Sequence, residues 1–132
     1  MKLLIILLLP LLASCAVYES YFVTQFDSNE YKIITEIGLD ANMYKKQCLS
    51  PMAKTNAMKL AYKSELFVRY TKELPNNNHV HNAAIQLNDI VTGLTERYNE
   101  SKTVSKAFCE LKYDNIENAA LIIQHASGGK TK

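Results

Sequence analysis

Glycine is scarce in this sequence, and its scarcity excludes a large class of binding sites. The 132 residues contain four glycines, of which Gly128 and Gly129 lie in the last five positions. Loops that bind phosphate groups need several closely spaced glycines, because their backbone amides approach the ligand directly. The sequence also lacks a nucleophile beside a base and a pair of carboxylates suited to acid–base chemistry. We therefore expect a protein that is not an enzyme, with no catalytic residues, no cofactor and no evident small-molecule substrate.

A strong excess of one charge is missing as well. The chain has 15 basic and 13 acidic residues, a formal net charge of +2. Domains that bind nucleic acids usually carry a strongly basic surface. We therefore expect no nucleic-acid partner. The acidic residues, Asp27 and Glu30 among them, mostly fall between apolar positions and are expected to be solvated.

Residues that ligate metals are few and poorly placed. His79 and His81 lie at the start of the third predicted helix, and His125 lies near the end of the fourth. The spacing of His79 and His81 is not that of a recognised zinc site, and no carboxylate is placed to complete the ligand set that zinc needs. The three histidines are expected to be solvated, and no metal site is predicted.

Long apolar segments are absent after residue 12. Leu3 to Leu12 form one apolar run, interrupted by Pro10 and preceded by Lys2. A helix needs about 20 apolar residues to cross a bilayer, so this run is too short to be a permanent span. A positive start, a short apolar stretch and small residues after it are typical of a secretory signal.

The residues that end this run carry a resemblance to a known class. Leu12-Ala13-Ser14-Cys15 resembles the lipobox of bacterial lipoproteins. The resemblance implies cleavage before Cys15 and attachment of acyl chains such as palmitate to that cysteine, and several chains on one residue anchor a protein firmly. The alternative is a plain secretory signal with an incidental cysteine. Ala16, which is not an aspartate, favours the outer membrane, at its periplasmic face or at the surface, over the inner membrane.

These boundaries divide the chain into four parts. Residues 1–14 are the predicted signal peptide, 15–26 the lipid anchor and an aromatic-rich tether, 27–126 a helical domain and 127–132 a loose tail. The aromatic side chains of the tether are expected either to pack on the domain or to sit at the membrane interface, where amphipathic aromatic rings are favoured.

Apolar residues recur every three or four positions in four successive stretches, as on one face of an amphipathic helix. Asp27 and Glu30 resemble a capping box at the start of the first helix. Ser50 and Pro51 are predicted to be the N-cap and the first residue of the second helix, and Asn78 to cap the third.

The apolar stripe of the fourth stretch opens with Val104, Phe108 and Leu111. Its phase shifts around residues 113–115, which indicates a kink or two short helices. No stretch alternates with a period of two, so strands are not expected.

Two cysteines, Cys48 and Cys109, remain after Cys15. In an exported protein an isolated pair most often forms a disulfide, whereas a metal site or a reactive thiol would need ligands or a partner that the sequence does not offer. If the helices alternate in direction, both cysteines lie at the same end of the bundle. The sequence therefore predicts an all-α fold, an antiparallel four-helix bundle-like domain with one disulfide.

Tyrosine is frequent, with eight residues in the chain. Tyr31, Tyr62, Tyr70 and Tyr113 lie partly off the apolar stripes, and exposed tyrosines are enriched at protein interfaces. Tyr62 and Tyr70 are therefore the candidate interaction surface. Packing at the edges of the bundle is the alternative.

These observations favour a membrane-anchored lipoprotein that acts as a non-catalytic binding module in the cell envelope, of the exclusion, immunity or inhibitor type. Its expected partners are the membrane, through the lipid, and another envelope protein. Frequent lysine and asparagine are typical of AT-rich genomes, which favours a phage, a plasmid or an AT-rich bacterium as the source. The alternative is a structural or assembly lipoprotein of an envelope complex.

Overall fold

Four helices form the computed structural model, which describes residues 24–101 and 103–132. The helices are α1 (Ser28–Lys45), α2 (Ala53–Glu73), α3 (Asn78–Glu100) and α4 (Lys106–Gly128). This part of the chain contains no strand, although an isolated bridge pairs Gln25 with Thr131. The all-α fold predicted from the apolar periodicity is confirmed.

Each helix packs on two others, and their directions alternate. Helix α1 contacts α2 and α4, and α3 contacts the same two helices. Lys45, the last residue of α1, lies 2.5 Å from Asp114 in the first half of α4. Tyr31, near the start of α1, accepts a hydrogen bond from Gln124 near the end of α4. The two helices are therefore antiparallel, as in an up-and-down bundle.

Helix α1 begins where the sequence predicts it to begin. The Asp27 carboxylate accepts a hydrogen bond from the Glu30 amide at 2.7 Å, which satisfies one of the free amides of the first turn. Behind this cap, Ile34, Ile37 and Ala41 are completely buried. The stripe predicted for α1 is therefore the face that forms the core.

The starts of α2 and α3 differ from the prediction. Residues 46–52 form turns, in which the Ser50 hydroxyl accepts from the Met52 amide, and α2 begins only at Ala53. Ser50 therefore caps a turn and not the helix. At α3 the N-cap position belongs to Asn77, whose side chain makes no capping bond because it is used elsewhere, and Asn78 is the first helical residue.

Helix α4 continues through residues 113–115, so the alternative of two short helices is wrong. Leu111, which the predicted stripe included, is exposed, whereas Tyr113 is buried. The disulfide turns Cys109 inward, and the residues that follow it at spacings of four and three share its face. These buried positions of α4 are Cys109, Tyr113, Ile116, Ala120, Ile123 and Ser127.

The predicted disulfide is present. Cys48, just beyond α1, bonds to Cys109 in the first turn of α4, with their Cα atoms 5.9 Å apart. The Tyr98 hydroxyl, near the end of α3, donates to the Cys109 Sγ at 3.1 Å. We call this end of the bundle, which holds the α1–α2 and α3–α4 connections, the disulfide end.

The sequence predicts a loose tail at residues 127–132, and the structure describes this stretch. Helix α4 continues to Gly128, and the Phe26 amide donates to the Thr131 carbonyl at 2.8 Å. The Lys130 side chain is only 4% exposed. Residues 24–27, the α2–α3 connection and residues 129–131 meet at this end of the bundle, which we call the clamp end. These contacts join residues 129–131 to segments that are distant in the sequence. The local pattern of small and polar residues in residues 127–132 gives no sign of such contacts.

Most of the predicted leader lies outside the described residues. The structure does not describe residues 1–23, which contain the predicted signal peptide, the lipid site at Cys15 and most of the predicted tether. Phe26, the last tether residue, is described, and its ring packs on Tyr31 with centroids 5.9 Å apart. Within residues 24–101 and 103–132, no helix has the length and apolar character needed to span a bilayer.

Candidate functional site

A groove runs between α1 and α2, in the half of the bundle nearer the disulfide end. It has a volume of about 530 Å³. Its rim holds two large side chains on successive turns of α2, Met58 at 55% exposed and Tyr62 at 75% exposed. Concave, largely apolar surfaces with a few polar groups are the usual form of a binding site. The lining residues are Asp40, Tyr44, Thr55, Met58, Lys59, Tyr62 and Lys63.

Two charged groups that line this groove, Lys63 and Asp40, are paired with each other. Lys63 Nζ lies 2.6 Å from Asp40 and 3.3 Å from Glu36, so a lysine of α2 bridges two carboxylates of α1. Burial by itself lowers the pKa of Lys63, but the hydrogen bonds and charges of Asp40 and Glu36 outweigh it and raise that pKa. Burial, and then the charge of Asp40, raise the pKa of Tyr44. Lys63 and Tyr44 therefore keep their protons at neutral pH and do not act as bases.

The four tyrosines singled out from the sequence have different environments. Tyr62 is the most exposed of them and points to the groove rim. Tyr70 is half-buried, and its hydroxyl donates to the Asp27 carboxylate at 2.9 Å, which ties α2 to the cap of α1. Burial, followed by effects of Asp27, raises the pKa of Tyr70. The structure does not place Tyr62 and Tyr70 in one groove, and their role at an interface stays a prediction.

Tyr113, by contrast, belongs to the core. Its ring lies edge-on to Tyr44, with centroids 6.2 Å apart, and its hydroxyl has no hydrogen-bond partner among the described residues. Burial raises its pKa, and the neighbouring Tyr98 and Tyr44 add to the effect. A buried tyrosine of this kind contributes packing and not binding.

A buried polar cluster at the clamp end was missed by the sequence reasoning. Glu30, expected to be solvated, is 0% exposed. Its carboxylate lies 2.5 Å from Lys130 Nζ and accepts a hydrogen bond from the Asn77 amide nitrogen. Lys130 also donates to the Asn77 side-chain oxygen at 2.6 Å. The three side chains satisfy one another, which is the condition under which buried charges are tolerated.

This cluster holds three segments that are far apart in the sequence. Glu30 comes from the first turn of α1, Asn77 from the α2–α3 connection and Lys130 from beyond α4. The Thr24 hydroxyl adds a bond of 2.6 Å to the Asn76 carbonyl. We call Glu30, Asn77 and Lys130 the clamp. Its arrangement, with every charge neutralised inside, indicates a structural role.

A second, smaller groove lies between α1 and α4. Its volume is about 380 Å³. Asn42 donates across it to Glu117 at 3.0 Å. Gly38 brings the two helices close together here, because a Cβ at this position would meet the Ala120 Cβ at 3.4 Å. The exposed side chains of Leu39 and Leu121 contribute apolar area to its lining.

The histidines are not brought together into a site. His79 and His125 are exposed, and the His81 ring nitrogen lies 3.1 Å from the Thr71 hydroxyl. Within the described part of the chain, no three of the histidine, cysteine, aspartate and glutamate side chains converge as metal ligands would.

The comparisons with known proteins add no relative. No protein-family model matches the chain, and neither a characterised protein nor a solved structure is detectably similar to it.

Proposed function

We propose that this protein is a membrane-anchored lipoprotein that binds another envelope protein through the groove between α1 and α2. The observation that carries the proposal is the exposed pair Met58 and Tyr62 beside a groove of about 530 Å³. Large exposed apolar side chains that border a groove are typical of interaction sites. The exclusion, immunity or inhibitor type of function needs only such a contact and no catalysis.

The proposed anchor suits the position of this groove. Cys15 is nine residues before Thr24, a stretch that spans at most about 32 Å when fully extended. Thr24 lies at the clamp end, and the groove lies toward the disulfide end. A helix of 23 residues such as α3 is about 35 Å long. A lipid on Cys15 would therefore attach the chain to the membrane from the clamp end, and the groove lies toward the other end of the bundle.

Tethering also gives the proposed module a thermodynamic advantage. Confinement to a membrane surface raises its effective concentration toward a partner in the same membrane, so that a modest intrinsic affinity suffices.

An assembly lipoprotein of an envelope complex is the second candidate function. The observation that favours it is that exposed apolar side chains are not confined to the α1–α2 groove. Leu111 and Ile122 are exposed on α4, and Leu39 and Met43 on α1. A subunit that contacts more than one neighbour would use several such faces.

The test of the anchor is a Cys15→Ser variant. We expect it to lose acyl labelling, to leave the membrane fraction and to keep its helical circular dichroism spectrum. Cellular activity, scored as resistance to a phage or to plasmid entry, should fall strongly because the effective concentration is lost. A Cys15→Ser protein that still takes up labelled fatty acid would refute the lipoprotein proposal.

The test of the groove is a Tyr62→Ala variant with Ile122→Ala as its matched control, since both side chains are largely exposed and lie on different helices. We expect Tyr62→Ala to weaken binding about tenfold, the loss typical of a central interface tyrosine. Ile122→Ala should leave binding unchanged. Equal losses for both variants would favour the assembly function, and no loss for Tyr62→Ala would refute the groove.

A further inference from the structure

The charges next to the groove are distributed very unevenly along the chain. From Ala41 to Ser64 the sequence contains five lysines and no aspartate or glutamate. Two of these lysines pair with carboxylates of the protein, since Lys45 pairs with Asp114 and Lys63 with Asp40. Within residues 24–101 and 103–132, no carboxylate pairs with the remaining three. These unpaired lysines are Lys46, Lys54 and Lys59.

Exposed apolar side chains alternate with these three lysines. Leu49 is 75% exposed in the α1–α2 connection, and Met52 follows it. Met58 lies about two turns further along the chain, at the groove rim. Methionine side chains adapt their shape to a partner and are frequent at binding surfaces. We call Lys46, Leu49, Met52, Lys54, Met58 and Lys59 the disulfide-end surface.

The start of α2 strengthens the positive character of this surface. Met52 at the N-cap makes no side-chain capping bond, and the first turn contains no acidic residue. The free amides and dipole of a helix N-terminus favour negative charge nearby, yet Lys54 occupies this turn. The surface therefore combines three lysines, the positive end of a helix and exposed apolar side chains, without a carboxylate of its own.

We propose that the disulfide-end surface binds an acidic polypeptide segment that also presents an apolar side chain to the groove beside Tyr62. The inference rests on the proposed binding function and adds the chemistry of the partner. Glutamate or aspartate would pair with Lys54 and Lys59, and a leucine or an aromatic residue would enter between Met58 and Tyr62. Complementary charge sets the specificity and the association rate of such a contact, and the buried apolar area gives it affinity.

A protein segment fits this surface better than an anionic membrane. Interfacial membrane-binding surfaces use tryptophan, phenylalanine and leucine on a broad apolar face, whereas this surface has one leucine and two methionines. The proposed anchor also joins the described chain at the opposite end of the bundle.

Site-specific photo-crosslinking in the tethered, full-length protein tests the proposal. A photoreactive amino acid replaces Met58 in one variant and, as a control, Ile122 on α4 in another, and the crosslinked peptide is sequenced by mass spectrometry. We expect Met58 to crosslink to one protein segment with more acidic than basic residues, and Ile122 to give no such product. A basic or uncharged segment, or a product of lipid alone, would overturn the proposed partner chemistry.

Charge reversal provides a second readout. We expect Lys54→Glu combined with Lys59→Glu to lower the Met58 crosslink yield about tenfold, and raised salt to lower it in the unchanged protein. Lys72→Glu, an exposed lysine in the last turn of α2, is the control and should have little effect. Equal yields for the reversed and control variants would refute the role of charge.

The outcomes separate the two proposals. Crosslinks from Ile122 and not from Met58 would overturn the disulfide-end surface and leave a binding function elsewhere on the bundle. No protein crosslink from either position, in cells where the protein is active, would overturn the binding function together with the inference.

Discussion

The two ends of the bundle are held together by different chemistry. At the disulfide end, a covalent bond joins Cys48 to Cys109 across 61 residues of sequence. At the clamp end, Glu30, Asn77 and Lys130 join three segments through buried hydrogen bonds and one ion pair. The disulfide needs only its two cysteines, whereas the clamp works only when all three of its side chains are present.

This difference explains why the two ends expose such different surfaces. A covalent bond needs no apolar cover, so the connection beside it can leave Leu49 and Met52 exposed. The clamp, by contrast, must exclude water to keep its buried charges paired, and it does so by folding residues 24–27 and 129–131 over that end. The disulfide end therefore leaves apolar side chains of its α1–α2 connection exposed, whereas residues 24–27 and 129–131 cover the clamp end.

Removal of the disulfide should have the largest effect on stability. A Cys48→Ala and Cys109→Ala double variant frees a loop of 61 residues, for which the chain-entropy model gives an upper value of about 4 kcal/mol. The loss of unfolding free energy is measured by chemical denaturation of the double variant and of the unchanged protein, with and without reductant. A loss under about 1 kcal/mol would mean that helix packing alone holds this end.

Breaking the clamp should have the next largest effect. Lys130→Met leaves the Glu30 carboxylate buried without its cation, which costs about 3 kcal/mol when a buried ion pair loses one partner. Lys132→Met is the matched control, because Lys132 is exposed and only borders the Phe26 ring. It should change the free energy of unfolding by less than about 0.5 kcal/mol.

The same comparison predicts a partial rescue at the clamp end. Glu30→Gln added to Lys130→Met removes the uncompensated charge and keeps a group that can bond to Asn77. The double variant should be more stable than Lys130→Met alone in urea denaturation. If both variants are as stable as the unchanged protein, the clamp does not hold this end.

The smallest expected effect lies in the core beneath the disulfide end and appears at alkaline pH. Burial raises the pKa of Tyr113 above its unfolded value, so the folded state keeps this proton when the unfolded state has lost it. Its contribution to stability is complete below about pH 10 and is lost as the pH rises through the folded pKa, with a slope of at most about 1.4 kcal/mol per pH unit.

Tyr113→Phe tests this directly. The phenylalanine variant should lose less stability between pH 9 and pH 11 than the unchanged protein, while Tyr62→Phe, at an exposed position, should follow the unchanged protein. At neutral pH, Tyr113→Phe should be neutral or stabilising by up to about 1 kcal/mol, because the hydroxyl has no partner among the described residues. Identical alkaline slopes for all three proteins would contradict the argument.

Local and periodic features were predictable from the sequence to a good degree. The cap at Asp27, the helical stripe of α1 and the Cys48–Cys109 pairing all appear in the structure. The phase of α4 was not predicted, because Leu111 and Tyr113 suit an apolar face equally well as residue types and the disulfide selects Tyr113. Of the candidate tyrosines, Tyr62 could be recognised as exposed, but the hydroxyl bond of Tyr70 to Asp27 could not.

The sequence by itself determined four amphipathic helices and one disulfide, because helical periodicity and cysteine pairing are properties of residue type and spacing. Only the tertiary structure decided that Glu30 and Lys130 are buried together, since their pairing joins residues 100 positions apart. It also decided which lysines remain available at the disulfide end, because Lys45 and Lys63 are neutralised by carboxylates of other helices. Burial and charge pairing depend on which residues are neighbours in space, and the pattern of residue types along the chain does not specify those neighbours.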